Sequence, residues 1–197
     1  MPISIDDIKK LRQMTGAGMM DAKKVLEEAN GDMDKAIELM RVKGMAKADK
    51  KADRATENGL VEAYVHGGKI GVLVEVACET DFVARTEEFK GFVHDVAIHI
   101  AASSPQYLNR DLVPADEREK EEKLFEEEVV ASGKPREHSA KIVEGKMNKY
   151  YAGICLLEQP FVKDPDRTIE TLLKELIGKL GENIVIRRFE RMELGAE

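Results

Sequence analysis

The chain has no tryptophan, aromatic residues make up only 5% of it, and cysteine occurs twice in 197 residues. It also lacks any apolar run near the roughly 18–20 residues that a membrane-crossing helix needs. The opening stretch MPISIDDIKK has no signal-peptide hydrophobic segment and is too acidic for a transit peptide, so the expected location is the cytoplasm. Cys78 and Cys155 lie far apart in apolar segments, with no CxxC and no metal-ligand spacing. They are expected to be buried free thiols. An excess of positive charge is missing too. A net charge of −7 and a pI near 5.3 argue against a general nucleic-acid binder, which needs surplus Lys and Arg to displace counterions. What remains is 43% hydrophobic and 35% charged residues, which fits a soluble, helix-rich protein: one large domain, or a small module with a larger one.

The hydrophobic periodicity divides the chain into residues 1–44, 45–58 and 59–197. In the first part, Ser4 is placed to cap a helix carrying Ile5, Ile8 and Leu11, and Thr15-Gly16-Ala17-Gly18 breaks it. A second helix places Met19, Ala22, Val25, Leu26 and Ala29 on one stripe and ends at Asn30-Gly31. Asp32 caps a third, with Met33, Ala36, Ile37 and Met40 inward. Residues 45–58, MAKADKKADRATEN, are small and charged, and read as a solvated, helical linker.

The third part reads as a hairpin followed by helices. Val61, Ala63 and Val65 alternate with Glu62, Tyr64 and His66, Gly67-Gly68 supplies the turn, and Ile70, Val72, Val74, Val76 and Cys78 share a face of the return strand. One helix is expected at about 83–103. Residues 114–155 read as a charged helical hairpin, turned at Ser132–Pro135, whose first arm is too polar to be buried, so it should project into solvent. A helix capped by Thr168 and stopped by Gly181 precedes a final strand that should join the 60–78 hairpin. The expected class is α+β: a three-helix module, a linker, then a three-stranded antiparallel sheet packed with helices and a projecting hairpin.

No active site is visible. His66, His94, His99 and His138 lack partners at metal-ligand spacing and read as surface or interface residues. There is no nucleophile elbow and no phosphate-binding glycine loop with its lysine. No cofactor or metal is expected. Two other classes are possible in principle: a hydrolase using Cys78 with a histidine, or an RNA-binding factor working through Lys47–Arg54. Neither has further support in the sequence.

Binding features are easier to find. Met20 projects opposite the apolar stripe of its helix, beside Lys24 and Glu28. The octet CETDFVAR, residues 78–85, lies where a strand hands over to a helix. Thr80 suits the cap, and Asp81 suits the positive end of the helix dipole. Phe82 has two readings, one covering the end of the sheet and one protruding from the corner.

Four stretches are similar to bacterial elongation factor Ts: LRQMTGAGMMDAKKVLEEANGDMDKAIELMR, GVLVEVACETDFVAR, LLEQPFVKD and GENIVIRRFERMELG. The Thr-Asp-Phe-Val core at 80–83 is that family's signature. The resemblance implies a ubiquitin-associated-like N-terminal module and an exchange factor without covalent chemistry, acting on the GTPase elongation factor Tu. It implies that Arg12, Met19 and Met20 dock on the partner's nucleotide-binding domain. It also implies that Thr80, Asp81, Phe82 and Val83 intrude beside the nucleotide, disturb the Mg²⁺ site and release GDP. Longer relatives duplicate the core, and short ones resemble this chain and form dimers. A homodimer is therefore expected, with the strand edge around Ile184–Met192 as its interface, and neither nucleic acid nor membrane is an expected partner.

Overall fold

The computed structural model describes residues 3–132 and 136–196, with the side chains of 136–138 outside the description. Among these residues it contains eight α-helices, a three-stranded antiparallel sheet and a separate two-stranded ribbon. The chain divides into two compact units. The first is Met1–Val61 with Glu75–Val93 and Thr171–Arg187. The second is Glu62–Val74 with His94–Glu170 and Arg188–Glu197.

The first unit opens with helices α1 (Ile5–Thr15), α2 (Met19–Glu28) and α3 (Met33–Asp49). Ser4 and Asp7 form a reciprocal capping box: the Ser4 hydroxyl accepts the Asp7 N–H at 3.0 Å, and the Asp7 carboxylate accepts the Ser4 N–H at 3.3 Å. Gly16 ends α1 in the left-handed conformation (φ 70°), which costs a residue without Cβ nothing. Ile8, Leu11, Ala22, Val25, Leu26, Ala29 and Ala36 form the core. Burying Leu11 or Leu26 completely, as here, stabilises by about 2–3 kcal/mol each.

Two residues expected on these stripes are exposed, while Met33, Ile37 and Met40 are partly buried against the core. Ile5 is 67% and Met19 38% exposed. Each is the first residue of its helix. Helical side chains lean toward the N-terminus, so a first-turn side chain reaches past the helix end rather than onto its neighbours.

Helix α3 runs to Asp49, five residues past the expected end of the module, because Ala48 is buried (3% exposed). The stretch that follows was expected to be a solvated connector. Its charged side chains are largely exposed, but its backbone is held: the Asn183 amide donates to the carbonyls of Ala52 (3.1 Å) and Arg54 (2.8 Å), and Arg187 donates to Thr56. In the same unit the module meets the segment 171–187. Gly178 approaches the backbone of Gly44, Arg41 pairs with Glu175 at 3.0 Å, and Lys174 pairs with Asp49 at 3.1 Å.

Strands β1 (Asn58–His66) and β2 (Ile70–Cys78) form the expected hairpin, with Gly67 and Gly68 both at positive φ (55° and 70°). Val72, Val74, Val76 and Cys78 are buried. On β1 the two valines are exposed, Val61 by 68% and Val65 by 67%, while Leu60, Glu62 and Tyr64 are half-buried. β1 is an outer strand in the order β1-β2-β5.

The helix expected at 83–103 is two: α4 (Asp81–Ala84) and α5 (Glu87–Ser103). Thr86 makes the break. Its hydroxyl donates to the Val83 carbonyl at 2.8 Å and accepts the Phe89 N–H at 3.2 Å, ending one helix and capping the next.

In the second unit, α6 (Ala115–Ala131) and α7 (Arg136–Ile154) pair through Val129, Val143 and Met147. Val129 is the buried residue of α6. The expected turn at 132–135 lies mostly outside the described residues. At the other end of the pair, Glu117 accepts hydrogen bonds from the hydroxyls of Tyr107 (2.6 Å) and Tyr150. A ribbon not anticipated from the sequence follows, β3 (Pro160–Phe161) with β4 (Asp164–Thr168). Helix α8 (Ile169–Leu180) ends at Gly181, and β5 (Ile184–Glu193) joins β2, as the sequence predicts.

Candidate functional site

The corner at 80–83 is built from both sides. Thr80 caps α4, its hydroxyl accepting the Val83 N–H at 3.4 Å. Val83 (9% exposed) and Ala84 (5%) anchor one side of the turn in the core, and this leaves Phe82 79% exposed. Of the two readings of Phe82, the structure selects protrusion. Asp81 lies in the first turn and pairs with Arg85 at 2.8 Å, so its carboxylate already has an internal partner beside the dipole.

Sequence reasoning missed the residues that hold this corner. Glu182 accepts two hydrogen bonds from Thr80, from the backbone N–H at 3.0 Å and from the hydroxyl at 2.6 Å. Glu79 in turn accepts the Asn183 N–H at 2.6 Å, and Arg54 lies at 3.4 Å. The backbone N–H of Asn183, then Arg54, hold the Glu79 carboxyl below its ordinary range. Behind the corner, the Cys78 thiol donates to the Thr80 carbonyl at 3.1 Å, and burial pushes its pKa up. The GEN tripeptide at 181–183 was visible in the sequence, but the contact spans 102 residues and has no local pattern.

The second group of expected site residues lies on the module, at the junction of α1 and α2. Arg12 and Met19 are exposed, and Met20 is 67% exposed, opposite the buried stripe of Ala22, Val25 and Leu26. Met14, at the end of α1, is a further exposed methionine (57%) that the sequence reading passed over.

The remaining candidates disperse. Cys78 and Cys155 are free and buried, and burial pushes the Cys155 thiol up to about 11. His94 meets Glu62 at 2.8 Å on the surface. His99 was expected at the surface or an interface, yet it is fully buried. Its Nδ1 accepts the Val162 N–H (3.3 Å) and its Nε2 donates to Gln159 (2.9 Å), which satisfies both ring nitrogens in the neutral form, and burial lowers its pKa. His138 lies outside the described side chains. Among the described residues, no three His, Cys, Asp or Glu side chains gather as a metal site requires, and no helix is long and apolar enough to cross a membrane. In the basic stretch, Lys47 pairs with Asp21 at 2.8 Å and Arg54 with Glu79 at 3.4 Å.

The sequence profile of the family described as Elongation factor TS matches residues 3–176. A protein of Carboxydothermus hydrogenoformans named Elongation factor Ts is 57% identical over 189 residues, covering 95% of this chain and 87% of its own. One of Acetivibrio thermocellus is 55% identical over 194 residues, covering 98% and 90%. Another, of Thermoanaerobacter pseudethanolicus, is 55% identical over 194 residues, covering 98% and 95%. The likeness thus extends through both units, and the chain belongs to the elongation factor Ts family.

Proposed function

We propose that the protein is the guanine-nucleotide exchange factor of elongation factor Tu, acting without covalent chemistry and without a cofactor or metal of its own. The Thr80–Val83 corner enters beside the partner's nucleotide, displaces Mg²⁺ and lets GDP leave, so that GTP can bind. The observation that carries this reading is Phe82, a large apolar ring 79% exposed on a turn whose next two residues are buried. An exposed ring on a fixed turn presents apolar surface at little entropic cost on binding. Asp81 beside it brings a negative charge toward a phosphate-bound cation.

Linkage sets what such a factor must do. It binds the nucleotide-free partner more tightly than the GDP-bound one, and GDP weakens its binding by the same ratio. Mg²⁺ bridges phosphate oxygens to protein ligands, so displacing it leaves a multiply charged phosphate less neutralised. The three-helix module, read as ubiquitin-associated-like, docks on the partner through Arg12, Met19 and Met20, whose exposure leaves them free to do so. Two copies of the chain associate through β5, an outer strand that exposes Met192 (77%). The protein works in the cytoplasm, without direct contact to nucleic acid or membrane.

The test is release of fluorescent GDP from purified elongation factor Tu, followed by stopped flow with and without this protein. Acceleration that saturates with protein concentration is expected. An unchanged release rate at saturating protein sinks the proposal.

A further inference from the structure

We infer that Glu182 is a positioning residue for exchange: it sets the pose of the Asp81–Phe82 tip by fixing Thr80, an inference that rests on the reading of the corner proposed above. Helix α4 has four residues, too few to hold its own geometry, since a single helical turn repays little of the entropy of forming it. Val83 and Ala84 hold its far side in the core. The near side depends on Thr80, whose N–H and O–H both end on the Glu182 carboxylate (3.0 and 2.6 Å) while its oxygen caps Val83. With its O–H donating to Glu182, the hydroxyl oxygen is oriented as the acceptor that the cap requires.

The location of Glu182 argues against a generic surface acid. It directly follows Gly181, where α8 ends, and the dipole at a helix C-terminus disfavours negative charge. Its hydrogen-bond partners are the two donors of Thr80, and the nearby Lys51 ammonium adds a favourable charge. The neighbouring pair is crossed in the same sense: Glu79, before Thr80, takes the N–H of Asn183, after Glu182. Asn183, 2% exposed, also binds the carbonyls of Ala52 and Arg54 on the segment leading from the N-terminal module. The loop 181–183 thus fixes the tip directly and is tied to the chain that carries the other docking residues.

The experiment uses the full chain with elongation factor Tu loaded with fluorescent GDP, comparing Glu182→Ala, Glu182→Gln, Phe82→Ala and the Phe82→Ala/Glu182→Ala double variant. For Glu182→Ala the maximal release rate is expected to fall about tenfold, the rate equivalent of roughly one lost hydrogen bond to a charged group. Its half-saturating concentration should stay within about twofold, because the docking residues are untouched. Glu182→Gln keeps an acceptor for the Thr80 N–H and should recover much of the rate. The double variant should be no more than about twofold slower than Phe82→Ala, since the two act through one tip. A normal maximal rate for Glu182→Ala, an effect confined to half-saturation, or a multiplicative loss in the double variant overturns the inference. Phe82→Ala alone reports on the underlying reading: wild-type exchange by that variant removes both, whereas slow exchange with normal Glu182→Ala removes only the role of Glu182. Should Glu182→Ala fail to fold, Glu182→Asp decides, because the shorter side chain draws the carboxylate back from the two donors of Thr80. Faster hydrogen exchange at the Thr80 and Val83 amides together with slower GDP release supports the role, and unaltered release with those amides loosened overturns it.

Discussion

Phe82 and Val83 are adjacent in the chain and opposite in environment: the phenylalanine is 79% exposed and the valine 9%. The smaller side chain takes the core position and the larger one faces water. Hydrophobic burial alone would order them the other way, because the ring offers more apolar area to remove from solvent. The contact proposed for this corner would bury that ring against the partner.

Phe82→Ala should therefore separate activity from stability. An exposed side chain removed from a turn changes stability by no more than about 0.5 kcal/mol. Thermal melts of the variant should overlay those of the parent, while stimulated GDP release slows. Normal exchange by a folded variant would remove Phe82 from the site, and collapse of the fold would show that the ring is part of the core.

Met20→Ala should weaken association with elongation factor Tu without loss of helix. The side chain lies opposite the α2 core stripe, and alanine is the better helix former. Circular dichroism should show unchanged helicity and titration calorimetry a weaker complex. Equal affinity would exclude Met20 from the interface.

Gly59→Ala should be among the more damaging single changes. Gly59 has φ 150°, and a Cβ there would stand 2.1 Å from the Val76 carbonyl oxygen and 2.7 Å from the Ala77 Cα, both backbone atoms that cannot swing away. Strain with forced separation of β1 from β2 should cost roughly 3 kcal/mol or more, readable in urea unfolding. A midpoint near that of the parent would show that the strand pair yields easily.

Acid should weaken the corner. The Asn183 N–H and then Arg54 hold the folded-state pKa of Glu79 below its ordinary value of 4.5. A depressed carboxyl contributes stability that is fully present above its unfolded pKa and lost as pH falls through the folded one. Glu79→Gln should thus be less stable than the parent at neutral pH, and the gap should narrow below about pH 4.5. Urea midpoints measured from pH 3 to 7 would test this, and a gap that stays constant across the range would contradict it.

The thiols should be inert in the folded protein. Cys78 and Cys155 are both fully buried, and burial pushes Cys155 up to about 11, far from a reactive thiolate at neutral pH. A chromogenic disulfide reagent should label neither until denaturant is added, and Cys78→Ser should retain exchange activity. Rapid labelling of the native protein, or activity lost with Cys78→Ser in a folded variant, would revive a thiol-based mechanism.

The parts legible in the sequence share a physical cause: they are decided within a few residues. The Ser4 capping box, the left-handed stop at Gly16, the Gly67-Gly68 turn and the Thr80 cap all follow from what one residue's backbone or side chain does to its immediate neighbours. The apolar spacing likewise places Ala22, Val25 and Leu26 inside, where they are buried. The three-residue spacing that also put Ile5 and Met19 inside failed because it ignores where a helix begins.

Tertiary structure decided whatever depends on partners far along the chain. His99 looked like a surface residue, and it is buried because Gln159 and the Val162 N–H satisfy both ring nitrogens. The sequence DPDRT carries no strand alternation, and it becomes β4 by pairing with Pro160–Phe161. At the corner, composition and local physics determined that Thr80 caps a helix and that an acid follows it. Only the folded chain brings the Glu182 carboxylate to Thr80 from 102 residues away and fills the core with Val83 rather than Phe82. A cap is a short-range property of the backbone, whereas the direction in which an exposed ring points is set by everything that holds the turn beneath it.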